Sequence, residues 1–482
     1  MNRKKILLLI LMILMTGVWS MSGCLSKSNP EAKEPASENS SEGESSEEGE
    51  KENPMTAEEE GIFYVSADAL NVRAEAKKDS ALQDQLIKGT RVSLIEEVRE
   101  ESGMLWYHIR YMRPEEKTGY IAAEFTVKTR QELLGEDLRN LDFSPVDKIE
   151  YENNKKVKVK GVYLTIHAAS GAKLDKLIEL AERTDINAFV IDVKDDFGNM
   201  LFRTKSAEKY APSANEKAPI KDIETFVKKL KEKNIYLIAR VVSFKDPTYA
   251  KYNGDKVIIS KETGQPFVNK DGIIWVSPHD RNLWNYNIEV AKEAAKAGFQ
   301  EIQFDYVRFP ASDGGKIDAM LDYRNEKNEG KPETIQQYLK TAYEVLSKEQ
   351  VYVAADVYGL VGSVPDDMQL GQYWEAISNY TDYICPMMYP SHYGNGVYGI
   401  EIPDAAPYET VYKSALDSVM RNQNLKTPAT IRPWIQSFTA PWVKGSNTKY
   451  GPEQIRAQIK GLADAGVDEY LLWNASNNYN IE

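Results

Sequence analysis

The side chains best placed to do chemistry in this sequence are two aspartates. Asp305 closes the polar face of EIQFDYVRFP (301–310), where Ile302, Phe304 and Tyr306 alternate with Glu301, Gln303 and Asp305. That is the period of two expected of a strand. Asp356 sits near the end of a second apolar run, VYVAADVYG. Two carboxyl groups, one to attack or activate water and one to donate a proton, are what glycosidic cleavage generally uses. Polar groups of matching parity come from Gln303 in the same run as Asp305 and from other strand-like runs: Tyr163 and Thr165, Asp192 and Lys194, Arg240, Tyr389, Arg432 and Gln436. Arg240, Arg432 or Lys194 would keep Asp305 ionised, and a drier position would favour a protonated Asp356. Tyr358, Tyr389, Tyr393, Trp434 and Trp473 could stack on sugar rings, with plain packing as the competing role. The rival account of Asp192, Arg240, Asp305 and Arg432 is a structural ion-pair network, although desolvation offsets much of what such a network gains.

These groups need a frame that gathers them. From residue 157 onward, strand-like and helix-like runs alternate eight times: VKGVYLTI, AFVIDVKD, IYLIARVVSF, EIQFDYVRF, VYVAADVYG, YICPMMYP, ATIRPWIQSF and EYLLWNAS. Amphipathic stretches such as LDKLIELAERT and IETFVKKLKEKN lie between them. Eight such units predict a (β/α)8 TIM barrel over residues 157–482, with the polar groups at the carboxyl ends of the strands, where this fold places active sites. A doubly wound open sheet is the alternative. No helix-like run follows the eighth strand, and residues 130–141, within a connector over 129–156, are expected to cover that gap or simply to join the domains.

The start of the chain reads differently. A basic Arg3-Lys4-Lys5 cluster and an apolar run lead to Met21-Ser22-Gly23-Cys24, which resembles a bacterial lipobox. The expectation is a lipoprotein signal peptide over 1–23 and a lipidated Cys24, anchoring the protein to the membrane on its extracytoplasmic face. Residues 24–60 carry 12 Glu against three Lys with little apolar content, the composition of a disordered tether. Residues 61–128 turn to short β-branched and aromatic runs broken by Gly and charged turns, as in a small all-β barrel. Leu70-Asn71-Val72-Arg73, Gly89, Trp106-Tyr107 and Gly119-Tyr120-Ile121 make this segment resemble the bacterial Src-homology-3-like domain. The resemblance implies docking to wall peptides or polysaccharide, with peptidoglycan as partner; a ligand-free spacer is the alternative.

Net charge is −13, with no basic stripe, so nucleic acid is excluded as a partner. The two cysteines, Cys24 and Cys385, and four histidines leave no disulfide framework and little material for zinc. Cys385 reads as an inert core thiol, no cofactor is implied, and a carboxylate-bound calcium or magnesium stays open.

FDYVRFP and YICPMMYPSHY, with the order of the other units, make residues 157–482 similar to a bacterial glycoside-hydrolase TIM-barrel domain allied to the α-amylase-like hydrolases. The resemblance implies a nucleophile at Asp305 on the fourth strand and an acid/base at Asp356 on the fifth. A polysaccharide substrate is expected to be met by Asp192, Lys194, Arg240, Arg308, Tyr358, Tyr389, His392, Arg432, Trp434 and Trp473. Two departures stand out: Gln303 replaces an arginine, and Asp356 is shorter than the usual Glu. A chitinase-like mechanism is disfavoured, because the glutamate it requires is Val307 here. Gly394–Gly399 matches GxGxxG, but no helix-like run follows to cradle a phosphate. The expected activity is hydrolysis of an envelope or extracellular glycan; a non-catalytic carbohydrate-binding protein on the same barrel is the rival.

Overall fold

A computed structural model describes residues 59–269 and 271–481. The expected signal peptide, Cys24 and the expected tether up to residue 58 lie outside the described residues. In the C-terminal part the strands, numbered here along the barrel, are β1 (Lys160–Leu164), β2 (Ala188–Lys194), β3 (Tyr236–Val242), β4 (Glu301–Asp305), β5 (Tyr352–Tyr358), β6 (Tyr383–Met388), β7 in two pieces (Thr430–Ile431 and Trp434–Gln436) and β8 (Tyr470–Trp473). All neighbours pair in parallel; β5 joins β6 and β8 joins β1, so the sheet closes into the expected (β/α)8 barrel.

The outer layer is α1 (Lys173–Arg183), α2 (Ile223–Lys231), α3 (Arg281–Ala297), α4 (Lys331–Leu346), α5 (Trp374–Asn379), α6 (Pro407–Asn422) and α7 (Pro452–Asp464). Local chemistry sets their ends. The Asp280 side chain accepts from the Asn282 N–H at the start of α3, and Gly298 (φ 105°) ends it in the left-handed region. Between these caps Leu283, Trp284, Ile288, Val290 and Ala291 turn one apolar stripe to the sheet, the period of a surface helix.

The residues 130–141 do not fill the place of an eighth helix. They form two short 3₁₀ turns, Arg130–Leu133 and Glu136–Leu138, and the chain then runs along α4 and α5. There the Asp142 N–H donates to Gln336, and Leu141 and Phe143 pack with Tyr373 and Ala376. The apolar residues of this stretch are too few and too irregular for a stripe, so they anchor a strap instead. The strap ends beneath the barrel, where Tyr151 packs against Tyr352 and Asn154 bonds the carbonyls of Gln300 and Gln350.

Residues 62–127 form an antiparallel seven-stranded sheet around Val65, Leu70, Val72, Leu86, Val92, Ile109 and Ile121, the small barrel expected there. Gly119 is needed for closure: a Cβ would stand 2.4 Å from Val72. Met420 of α6 joins this core, and Arg113 pairs with Asp417 of α6 at 3.3 Å.

Candidate active site

The barrel interior is built on the alternation within β4. Ile302 and Phe304 face the helix layer, and Glu301, Gln303 and Asp305 face inward at three levels, all buried. At the floor both carboxylate oxygens of Glu301 accept from Arg432, at 2.7 and 2.9 Å. At mid-height Gln303 donates to Asp356 Oδ1 at 2.8 Å. At the top Asp305 Oδ2 accepts from Arg240, from Nη2 at 2.6 Å and Nε at 2.9 Å. One polar strand face thus feeds three separate clusters.

Arg240 organises the top. Its Nη1 donates to Asp192 at 2.6 Å and its Nη2 also reaches Asp196 at 2.9 Å, while the guanidinium lies over the rings of Tyr163 and Trp473. Burial pushes Asp192 up to about 7, against the opposing pull of Arg240 and the Tyr163 hydroxyl. For Asp196 burial also pushes upward, but Arg240 and Lys245 together outweigh it and hold the acid at about 2. One cluster therefore holds carboxyls of opposite protonation tendency, a pattern typical of functional sites.

Above the cluster opens a cavity of about 290 Å³, lined by Asp305, Arg240 and Arg308 together with Tyr306, Tyr358, Tyr389, His392, Tyr393, Trp434 and Trp473. Asp305 is the one carboxylate on its wall among the described residues. Aromatic faces with a few polar groups suit an amphipathic ligand such as a sugar ring. From Tyr389 a row of rings leads outward through His392 and Phe438 to Trp442, with centroids 5.2 to 6.2 Å apart. Trp442 is 62% exposed, so it does not serve as core. Burial lowers the pKa of His392, against the opposing pull of Asp404.

Asp356 lies behind this wall. It is 1% exposed, and its Oδ1 accepts from Trp434 Nε1 at 2.7 Å as well as from Gln303, while Oδ2 has no partner among the described residues. Burial raises its pKa far above the ordinary carboxylate value, and the nearby Asp305 charge adds to the effect. Asp356 follows directly on the Phe304–Ala355 pair that aligns β4 with β5, and its burial favours the protonated form.

Of the substrate-contact residues expected from sequence, Arg240, Arg308, Tyr358, Tyr389, His392, Trp434 and Trp473 line the cavity, and Asp192 supports Arg240 from below. Two do not reach the mouth. Lys194 points into the helix layer, bonded to Asp246 at 2.7 Å and to Asn287 of α3 at 2.6 Å. The pairing of β2 with β3 skips a residue there, Asp192 opposing Arg240 and Lys194 opposing Val241. This irregularity turns Lys194 to the opposite face from Asp192, as a one-residue slip must. Arg432 points inward but at the floor, bound to Glu301 and to Glu469 at 2.7 Å, because β7 resumes beyond it at Trp434. Thr165 caps a short helix (Ile166–Ser170), and Gln436 bonds Asp404. Asp196, Lys245 and Tyr306 were missed. They follow strand ends in DVKDDFG, SFKD and FDYVRF, and a polar cluster just past a barrel strand is the signal that marks them.

Gly394–Gly399 forms a turn closed by the Gly396 N–H on the Ile400 carbonyl, with α6 starting only at Pro407. Among the described residues no group of three or more His, Cys, Asp or Glu is arranged to hold a metal ion.

Residues 161–479 match the family model described as "Putative glycosyl hydrolase domain", and residues 68–127 match "Bacterial SH3 domain". No curated protein matches the chain. Among solved structures, a hypothetical protein from Ruminiclostridium thermocellum is 31% identical over 41% of this chain and 97% of its own, with a TM-score of 0.36. The glycoside hydrolase domain of PgaB (BpsB) from Bordetella bronchiseptica is 14% identical over 66% of this chain and 94% of its own, with a TM-score of 0.48. The spore cortex-lytic enzyme SleL of Bacillus megaterium is 10% identical over 67% and 71%, with a TM-score of 0.38. The first family match spans well over half of the sequence, and the closed barrel beneath it agrees. The chain belongs to this glycosyl hydrolase family and carries a bacterial SH3 domain ahead of its barrel.

Proposed function

We propose that the protein hydrolyses glycosidic bonds of a cell-envelope or extracellular polysaccharide, with Asp305 acting at the anomeric carbon and Asp356 as the proton reserve. One observation carries this reading: Asp305, ion-paired with Arg240, is the carboxylate presented to an aromatic-lined cavity, with a second carboxyl behind it that burial keeps protonated. A buried acid that favours its protonated form suits the acid role beside a carboxylate paired with a cation. The ring row ending at Trp442 suits a polymer whose further units extend out of the cavity. In the same proposal, lipidated Cys24 holds the protein on the outer face of the membrane, the acidic segment spaces it away, and the small barrel docks on peptidoglycan.

A second reading, a carbohydrate-binding protein that does not cleave, is favoured by the position of Asp356. Among the described residues only one carboxylate touches the cavity, whereas cleavage generally uses two. Screening a panel of envelope glycans for new reducing ends, with wild type, Asp305→Asn and Asp356→Asn, separates the two. Cleavage abolished by both substitutions supports hydrolysis; glycans retained but never cut by wild type establish the binding protein. For the anchor, Cys24→Ala should leave an unprocessed precursor that no longer enters the detergent phase, and unchanged processing refutes it. Pull-down of the full chain on purified peptidoglycan, compared with a chain lacking residues 61–128, tests the docking role.

A further inference from the structure

Three residues beyond Asp305 the cavity holds a cation, Arg308, that pairs with no carboxylate among the described residues. The fully buried arginines, Arg240, Arg421 and Arg432, are each bound to carboxylates. Arg308 has no carboxylate partner among the described residues. Its Nη1 donates to the Phe309 carbonyl at 2.9 Å, the only hydrogen bond its side chain makes among them. The guanidinium is instead held by three rings: Trp275 at 4.8 Å, Tyr306 at 5.3 Å and Tyr358 at 5.5 Å from their centroids.

The backbone is bent to put it there. Just after β4, Tyr306 has φ 48°, a left-handed conformation uncommon for an aromatic residue. The turn is fixed by the Tyr306 N–H on Asp305 Oδ1 at 2.5 Å and by Lys245 on the Tyr306 hydroxyl at 3.2 Å. Val307 and Phe309 then enter the core, while Arg308 lines the cavity. Strain of this kind persists where the surroundings over-determine it, and it clusters at ligand clamps.

We propose that Arg308 binds a carboxylate carried by the sugar unit in the cavity, so that the substrate is an acidic glycan. This rests on the reading of the cavity as a glycan site and names the substrate class. A guanidinium stacked on rings is already ordered and keeps its planar fork of donors for a bidentate partner, the geometry a carboxylate matches. Asp305 repels the same carboxylate from its own side of the cavity. Attraction at Arg308 and repulsion at Asp305 together orient the sugar ring, leaving its anomeric end to Asp305.

Two matched pairs test the proposal by ligand-observed NMR on the detergent-solubilised full chain: methyl β-D-glucuronide against methyl β-D-glucoside, and N-acetylmuramic acid against N-acetylglucosamine. Each pair differs in a carboxylate-bearing group, C6 as the carboxylate in one and an added lactyl ether in the other, so the pair that responds identifies the source. A charge-assisted hydrogen bond predicts that wild type prefers the acidic member roughly tenfold or more. In Arg308→Gln the preference for the acidic member should vanish, and in Asp305→Asn it should persist even though hydrolysis is lost. Equal binding of both members to wild type, or a preference that survives Arg308→Gln, overturns the proposal and leaves the glycan reading standing. Preference for glucose 6-phosphate over both acidic sugars overturns it in favour of a phosphorylated unit. Failure of every sugar to bind overturns this proposal and the glycan reading together.

Discussion

The two ends of the barrel interior are made of the same materials. At the mouth a buried arginine, Arg240, is held by Asp192, Asp196 and Asp305 over the rings of Tyr163 and Trp473. At the floor Arg432 is held by Glu301 and Glu469, its guanidinium 3.5 Å above the Tyr383 ring. Composition does not distinguish them; access does. Both oxygens of Glu301 are engaged by Arg432, and the strap residue Tyr151 packs below. Asp305 instead opens onto the cavity. In this fold the loops that build a ligand site follow the carboxyl ends of the strands, and the opposite face serves stability. A buried ion pair therefore has to be read with its depth along the strand before it is given a role.

The largest expected effect lies at the mouth. Asp305→Asn should lower the hydrolysis rate about 10²–10⁴-fold, the usual size of such a contribution. Melting temperature should hardly move, because Arg240 keeps Asp192 and Asp196 as partners. A large drop in stability with activity retained would make the two ends equivalent and break the comparison.

The floor predicts the mirror image. Arg432→Met removes the partner of two glutamates and should cost about 3–5 kcal/mol of stability, measured by urea denaturation. The folded fraction should keep the kcat and KM of wild type. A change in kcat without loss of stability would place the floor in the catalytic machinery.

pH sharpens the contrast. Burial raises the pKa of Asp356 and takes Asp192 to about 7, so both stay protonated in the folded chain after the unfolded chain has released its protons near about 3.9. Their stabilising contribution is complete below that value and is lost as pH rises through the folded pKa. Asp356→Asn cannot ionise, so its melting temperature should gain on wild type as pH is raised above about 5. A constant gap across that range would mean that Asp356 is ionised in the fold. Activity of the same variant should be low at every pH.

The smallest effect is expected at the rim. Trp442→Ala should raise KM for a polymeric substrate by roughly a fewfold, the scale of one aromatic contact, and leave a short aryl glycoside unaffected. Equal effects on both substrates would remove Trp442 from the path of the polymer.

The barrel, the small domain before it and the identity of β4 were legible in the sequence, because hydrophobic period and turn chemistry are local properties. So were Asp305 and most of the cavity wall, since strand parity alone turns Arg240, Trp434 and Trp473 inward. Parity failed at Lys194, where the irregular pairing of β2 with β3 reverses the face; such a slip leaves no mark in the pattern of one strand. It was insufficient at Arg432, because parity gives the side of a strand and not the height along it.

By itself, then, the sequence determined which residues could face the barrel interior, since alternation is imposed by the pleat of each strand. Only the tertiary structure decided which of them share a level, because level depends on how eight strands are staggered against one another. That stagger sends Glu301, Gln303 and Asp305 of a single strand to Arg432, Asp356 and Arg240. It leaves Asp356 behind the wall and Arg308 in the cavity with no carboxylate partner among the described residues, since burial and partnership are properties of the assembled barrel.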